Sequence, residues 1–160
     1  MKNQMNKLPN WIRNAYRGTD VHWSRSQTEI YKMLNELGIY DIRFTNLKDK
    51  FVLEFLVTLA DGQKPRAVRI TSPLSVVTND EKKRTRELNI THRTLVAHIK
   101  AKFLAIGRGL TEFEQEFMAH LLITDAAGNS RTIGEALLPQ YRDQIDHGKN
   151  KPFMLGDGTN

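Results

Sequence analysis

Apolar positions change their spacing several times along the chain, and each change marks an element. After a polar, basic start, Ile30, Met33, Leu34 and Leu37 recur at helical spacing. Ser26 and Glu29 form a capping-box pair ahead of them, and Gly38 stands where a helix-ending glycine belongs. The pattern predicts a helix over residues 26–37. Residues 41–46 then alternate, with Ile42 and Phe44 on one side. Residues 51–60 are apolar at nearly every position except Glu54, as in a central strand. Residues 66–72 alternate Val68 and Ile70 against Arg69 and Thr71, after a turn at Asp61-Gly62. Connections this short predict an antiparallel meander.

Within residues 80–107, Leu88, Leu95, Ile99, Phe103 and Ile106 share one side of a long helix, which Gly107 and Gly109 can stop. Thr111 and Glu114 form a second capping box, opening a helix that buries Phe113, Phe117 and Leu121. Residues 121–124 and 131–133, joined by DAAGN, have the form of a small hairpin. Thr132 and Glu135 make a third capping box, for a helix that uses Ile133, Leu137, Tyr141 and Ile145 and that Pro139 should kink or divide. The expected fold is α+β: a three-stranded antiparallel meander packed by helices, with a helical C-terminal third. Residues 1–22 read as a basic N-terminal arm, 23–147 as a single α+β domain, and 148–160 as a loop-like tail with Phe153, Met154 and Leu155 as a docking hook.

Composition narrows the classes. A chain of 160 residues with 39% hydrophobic and 26% charged positions can bury a core as one domain. It has no cysteine, which excludes disulfides, thiolate metal sites and a thiol nucleophile. Neither a signal-peptide core nor a stretch of ~18 apolar residues is present, so the expectation is a soluble cytoplasmic protein with no membrane contact.

Charge changes the picture more. Residues 1–108 carry 20 Lys and Arg against 10 Asp and Glu, whereas residues 109–160 carry 4 against 8. A basic body with an acidic C-terminal third suggests one side that meets a polyanion and another that does not. Lys82, Arg86, Arg93 and Lys100 fall within about 40° of one another around the long helix, opposite its apolar side. Four cations so spaced suit phosphates on a nucleic-acid backbone, DNA or RNA; a solvated helix face is the plainer reading. Arg43, Arg66 and Arg69 on or beside the sheet add to that interface. In the arm, Lys2, Lys7, Arg13 and Arg17 interleave with Trp11 and Tyr16, a pattern that combines charge with stacking.

The words SRSQTEIYKMLNELGI, RAVRITSPL, LVAHIKAKFLAIGRGLTEFEQEFMAHLLI and TIGEALLPQ occur in an order similar to that of an uncharacterised family of small phage, prophage and actinobacterial mobile-element proteins. The likeness spans roughly residues 23–155. It implies a phage or mobile-element origin and a cytoplasmic product, and carries no established activity. The stretch TNDEKKRTRELN is shorter than the family's linker and the arm is longer, so roles for those two regions do not follow from the resemblance.

Other constellations are weaker. Glu112, Glu116 and His120 stand at i, i+4 and i+8, a stripe that would hold a divalent metal or supply an acid and a base, or simply be a solvated face. His92 falls among apolar positions and reads as a core histidine, with His98 on another face. Restriction-type nuclease chemistry needs a strand-borne Asp/Glu-x-Lys word, but the strand RAVRITS has no carboxylate, and Glu81-Lys82-Lys83 lies in a helix approach. Three functions follow, in order of preference. The first is a non-enzymatic nucleic-acid-binding protein without a cofactor. The second is a protein-binding modulator of a host or phage machine, such as an anti-defence inhibitor. The third is a metal-dependent enzyme using Glu112, Glu116 and His120.

Overall fold

The computed structural model describes residues 8–147. A short helix, α1 (Asn10–Arg13), precedes α2 (Trp23–Glu36), and the strands β1 (Ile42–Asn46), β2 (Lys50–Val57) and β3 (Arg66–Pro73) follow. Next come the 27-residue α3 (Glu81–Gly107), the single turn α4 (Phe113–Phe117) and a 3-10 turn, Met118–His120. A hairpin of β4 (Leu122–Thr124) and β5 (Ser130–Thr132) leads into α5 (Ile133–His147). The expected α+β class is what the chain adopts. The tail residues Phe153, Met154 and Leu155, and the arm residues Lys2 and Lys7, lie outside the described residues.

The sheet is the antiparallel meander β1-β2-β3, with β2 in the centre. Its alternation separates two faces. Phe51, Leu53, Phe55 and Val57 of β2, with Val68 and Ile70 of β3, are buried on one. They pack under Ile30 and Leu34 of α2, Leu95, Val96 and Ile99 of α3, and Phe113, Phe117 and Leu121. Phe117 is fully buried, with its ring 5.4 Å from Phe103 and 4.8 Å from Phe113. The other face carries Arg43, Glu54 and Arg69 in one rung and Thr45, Val52 and Thr71 in the next. Leu121 adds an isolated antiparallel bridge to Val68, on the outer edge of β3.

Helix ends show where local signals hold and where tertiary partners replace them. Gly38 and Gly109 adopt positive φ, and each closes a Schellman motif: Ile39 N–H to Leu34 O, and Leu110 N–H to Ala105 O. The Thr132–Glu135 capping box forms in both directions, at 2.8 and 3.1 Å. Two other boxes do not form as expected. Helix α2 starts at Trp23, a turn before Ser26, because His22 caps it and the Trp23 N–H finds Asn89 Oδ1 on α3 at 2.8 Å. Ser26 is thereby drawn into the core and Glu29 is left for another partner. At α4 the cap moves from Thr111 to Glu112, whose N–H donates to Gln115 Oε1. Pro139 does not divide α5, which runs through it.

Candidate nucleic-acid interface

Asp80 caps α3, accepting a hydrogen bond from Lys83 N–H, and the helix then runs about 40 Å. Its buried residues are Leu88, His92, Leu95, Val96 and Ile99. At ~100° per residue, the middle of that set lies about 110° from the Lys82–Arg86–Arg93–Lys100 stripe, so the stripe flanks the core side and is not opposite to it. Val96, which is buried, widens the apolar side further toward the stripe.

Flanking the core brings the stripe beside α2. Arg93 Nη1 meets Glu29 Oε2 at 2.5 Å, and the Arg93 side chain is only 23% exposed. Lys82 and Lys100 are exposed, with no carboxylate partner among the described residues, but they stand about 27 Å apart along the helix. Arg86 Nη2 donates to Arg17 O at 3.2 Å, a contact that holds the arm without neutralising the guanidinium.

The sheet arginines are claimed by acids. Arg43 and Arg69 stand on either side of Glu54 in one rung of the meander. Arg43 Nε donates to Glu54 Oε2 at 2.7 Å and Arg69 Nε to Oε1 at 2.8 Å, with Arg43 Nη2 completing the clamp. Burial pushes the Glu54 carboxyl up, but the hydrogen bonds and charges of Arg69 and Arg43 outweigh it and hold the group below its ordinary value. Arg66 Nε reaches Glu114 Oε1 at 2.5 Å, joining β3 to α4. Four of the seven expected interface cations, Arg43, Arg66, Arg69 and Arg93, are thus bound to carboxylates.

A tighter group of cations forms at the N-terminal end of α3. Lys82, Lys83, Arg84 and Arg86 occupy its first two turns, and Arg84 Nη2 donates to Leu47 O at 3.2 Å, bringing in the β1–β2 turn with Lys48 and Lys50. The Arg86 contact brings in the arm with Arg13 and Arg17. Two nearby acids are engaged locally, Asp80 in the cap, 3.8 Å from Lys83 Nζ, and Glu87 with Ser75 N–H at 2.7 Å, while Glu81 is exposed in the same first turn. The signal for this cluster was the run KKRTR itself; sorting it by helical face discarded Lys83 and Arg84.

Beside this end, the arm, β3 and α3 enclose a groove of about 600 Å³. Leu8, Ile12 and Ala15 line it from the arm, Ile70 and Val76 from the sheet side, and Ile90 and Leu95 from the helix. His98 and His120 close its far end with rings 5.8 Å apart. Burial lowers both pKa values, and the Lys102 charge adds to the effect.

The acidic stripe does not assemble. Helix α4 stops at Phe117, so Glu112, Glu116 and His120 do not share one helical face. Glu112 sits at the cap and Glu116 Oε1 takes Lys102 Nζ at 3.0 Å. Among the described residues no group of three or more His, Asp or Glu is placed to hold a metal ion. His92 is the core histidine its neighbours imply: fully buried, 4.1 Å from the Phe51 ring, with Nδ1 2.8 Å from Leu88 O and Nε2 3.1 Å from Gln27 Nε2. The pair fits a neutral ring that donates from Nδ1 and accepts at Nε2, and burial lowers its pKa. No helix among the described residues is long and apolar enough to cross a membrane. Comparison with protein-family models, curated proteins and solved structures finds no match.

Proposed function

We propose that this protein binds the phosphate backbone of nucleic acid, as a binding protein and not an enzyme, through the basic end of α3 and the arm docked beside it. The carrying observation is the cluster of Lys82, Lys83, Arg84 and Arg86, joined by Arg17 through a 3.2 Å hydrogen bond and lacking the close acid clamps of the sheet. Cations without a carboxylate partner, as Lys82, Arg84 and Arg86 are among the described residues, can take phosphate and release counterions, whereas an arginine bound to a carboxylate must first give that up. We also propose, on the resemblance of its sequence words to phage and mobile-element proteins, a bacterial cytoplasm as the context, where nucleic acid is an abundant polyanion.

The test is the salt dependence of binding. In Lys82→Gln/Lys83→Gln/Arg86→Gln, the slope of log affinity against log salt should fall by roughly 2–3, at ~0.7–0.9 per lost contact. The loss should be similar across base sequences, since phosphate contacts position the protein without reading bases. A folded triple variant that keeps the full slope would falsify this reading.

A second reading, a protein-binding modulator, is favoured by α5. Leu138 and Ile145 are 47% and 66% exposed in the acidic third of the chain. Capture of one partner protein after nuclease treatment, lost in Leu138→Ser/Ile145→Ser, would support it over nucleic-acid binding.

A further inference from the structure

We propose that the arm makes the basic end of α3 a site for single-stranded nucleic acid, with Trp11 and Tyr16 as stacking surfaces for unpaired bases. This rests on the nucleic-acid reading above and adds the strand state.

Trp11 is 76% exposed and Tyr16 41% exposed. Rings of this size bury large apolar areas when covered, so leaving them in water forgoes much of what they could contribute to folding. Nor do they attach the arm. Leu8, Ile12 and Ala15 line the cavity beside β3, and neither aromatic does. Tyr16 has φ 57°, a left-handed conformation that is uncommon for a residue with a side chain and a genuine outlier for a bulky one. Hydrogen bonds from Arg17 N–H to Asn14 O and from Thr19 N–H to Tyr16 O close the turns around it. Backbone held in such a state against its preference is concentrated at binding sites.

Cations alternate with these rings. Arg13 and Arg17 lie within the same short segment, with no carboxylate partner among the described residues. Arg86 pins the Arg17 carbonyl, so the segment sits against the phosphate-binding cluster. Aromatic faces interleaved with guanidinium groups are what a single strand requires: each unpaired base offers a π-face and each linkage a charge. A duplex keeps its bases stacked on one another and offers the rings nothing. Cations and no partnered acid on the segment favour a polyanion over an apolar protein surface.

Tryptophan emission reads the proposal directly, because the chain holds two tryptophans and only Trp11 is replaced. Wild type and Trp11→Ala are titrated at low salt with oligo-dT, oligo-rU, a duplex of equal length and polyglutamate. Expected results are quenching by the single strands that is missing in Trp11→Ala, and a single-strand affinity reduced roughly 5- to 150-fold, the range for losing one stacked base. Duplex binding and the salt slope should be unchanged. Quenching by DNA, RNA or both supports the site and names the sugar it accepts. If Trp11→Ala binds single strands as tightly as wild type, stacking is wrong while the phosphate reading stands. Equal losses on duplex and single strand, or equal quenching by polyglutamate, overturn single-strand binding. If no nucleic acid binds wild type, the phosphate reading and this inference fail together.

Discussion

Arg43 and Arg69 on the open sheet face, and Lys82 and Arg86 at the start of α3, are all cations at or near the surface, in opposite electrostatic situations. On the sheet, Glu54 lies between its two arginines in a single rung, so three charged groups leave a net of one. At the helix, four cations within five positions are joined by a turn and an arm bearing more; of the adjacent acids Asp80 and Glu87 are tied to backbone amides, and Glu81 is exposed. A cation's worth to a polyanion therefore depends on whether its own fold has already supplied an acid. Strand pairing did so for the sheet. The α2–α3 packing did so for Arg93, and left Arg86 free of carboxylates.

Both regions hang from one core, and the largest expected effect is there. Phe117→Ala should cost ~3–5 kcal/mol in chemical denaturation, because Phe103, Phe113 and Phe55 all pack on that ring. Near-wild-type stability would mean that α3 and the sheet are not joined as described, and the contrast between their charges would lose its basis.

A smaller effect sharpens the contrast. Glu54→Gln should release Arg43 and Arg69 from their clamp and reduce stability by about 1 kcal/mol, as the pairs are partly exposed. The sheet lies outside the proposed interface, so the salt slope should move by less than the ~0.7–0.9 of one contact. A gain of one or two full contacts would bring the sheet face into the interface. The clamp also has a pH signature. Because the folded carboxyl is held below its ordinary value, its stabilisation is present above the unfolded value of 4.5 and is lost as pH falls through the lower folded value. Denaturation profiles of Glu54→Gln should lack that component.

The smallest effect lies at milder acidity. His92, His98 and His120 all have lowered pKa values in the fold. The unfolded chain therefore takes up protons first as pH drops below 6.5, and stability should decline from there toward the folded values. His98→Asn/His120→Asn should flatten part of that decline, as measured by urea midpoints between pH 7.5 and 5.

Much of the architecture was legible from spacing. The alternation of Val68 and Ile70 with Arg69 and Thr71, and the unbroken apolar run of β2, specify a meander with β2 in the middle, because side chains in a strand must alternate faces. The third capping box and both glycine stops were equally readable, since each is satisfied within a few residues. What the sequence could not contain was the pairing of charges across elements. Glu29 with Arg93, Glu114 with Arg66 and the start of α2 against Asn89 join positions 64, 48 and 66 residues apart. Ion pairs are decided by distances of a few ångströms, which periodicity along one helix does not encode. Local order therefore determined the elements, their faces and the cations available. Only the packing of those elements decided which cations were neutralised, and that moved the candidate interface from the length of α3 to its basic end.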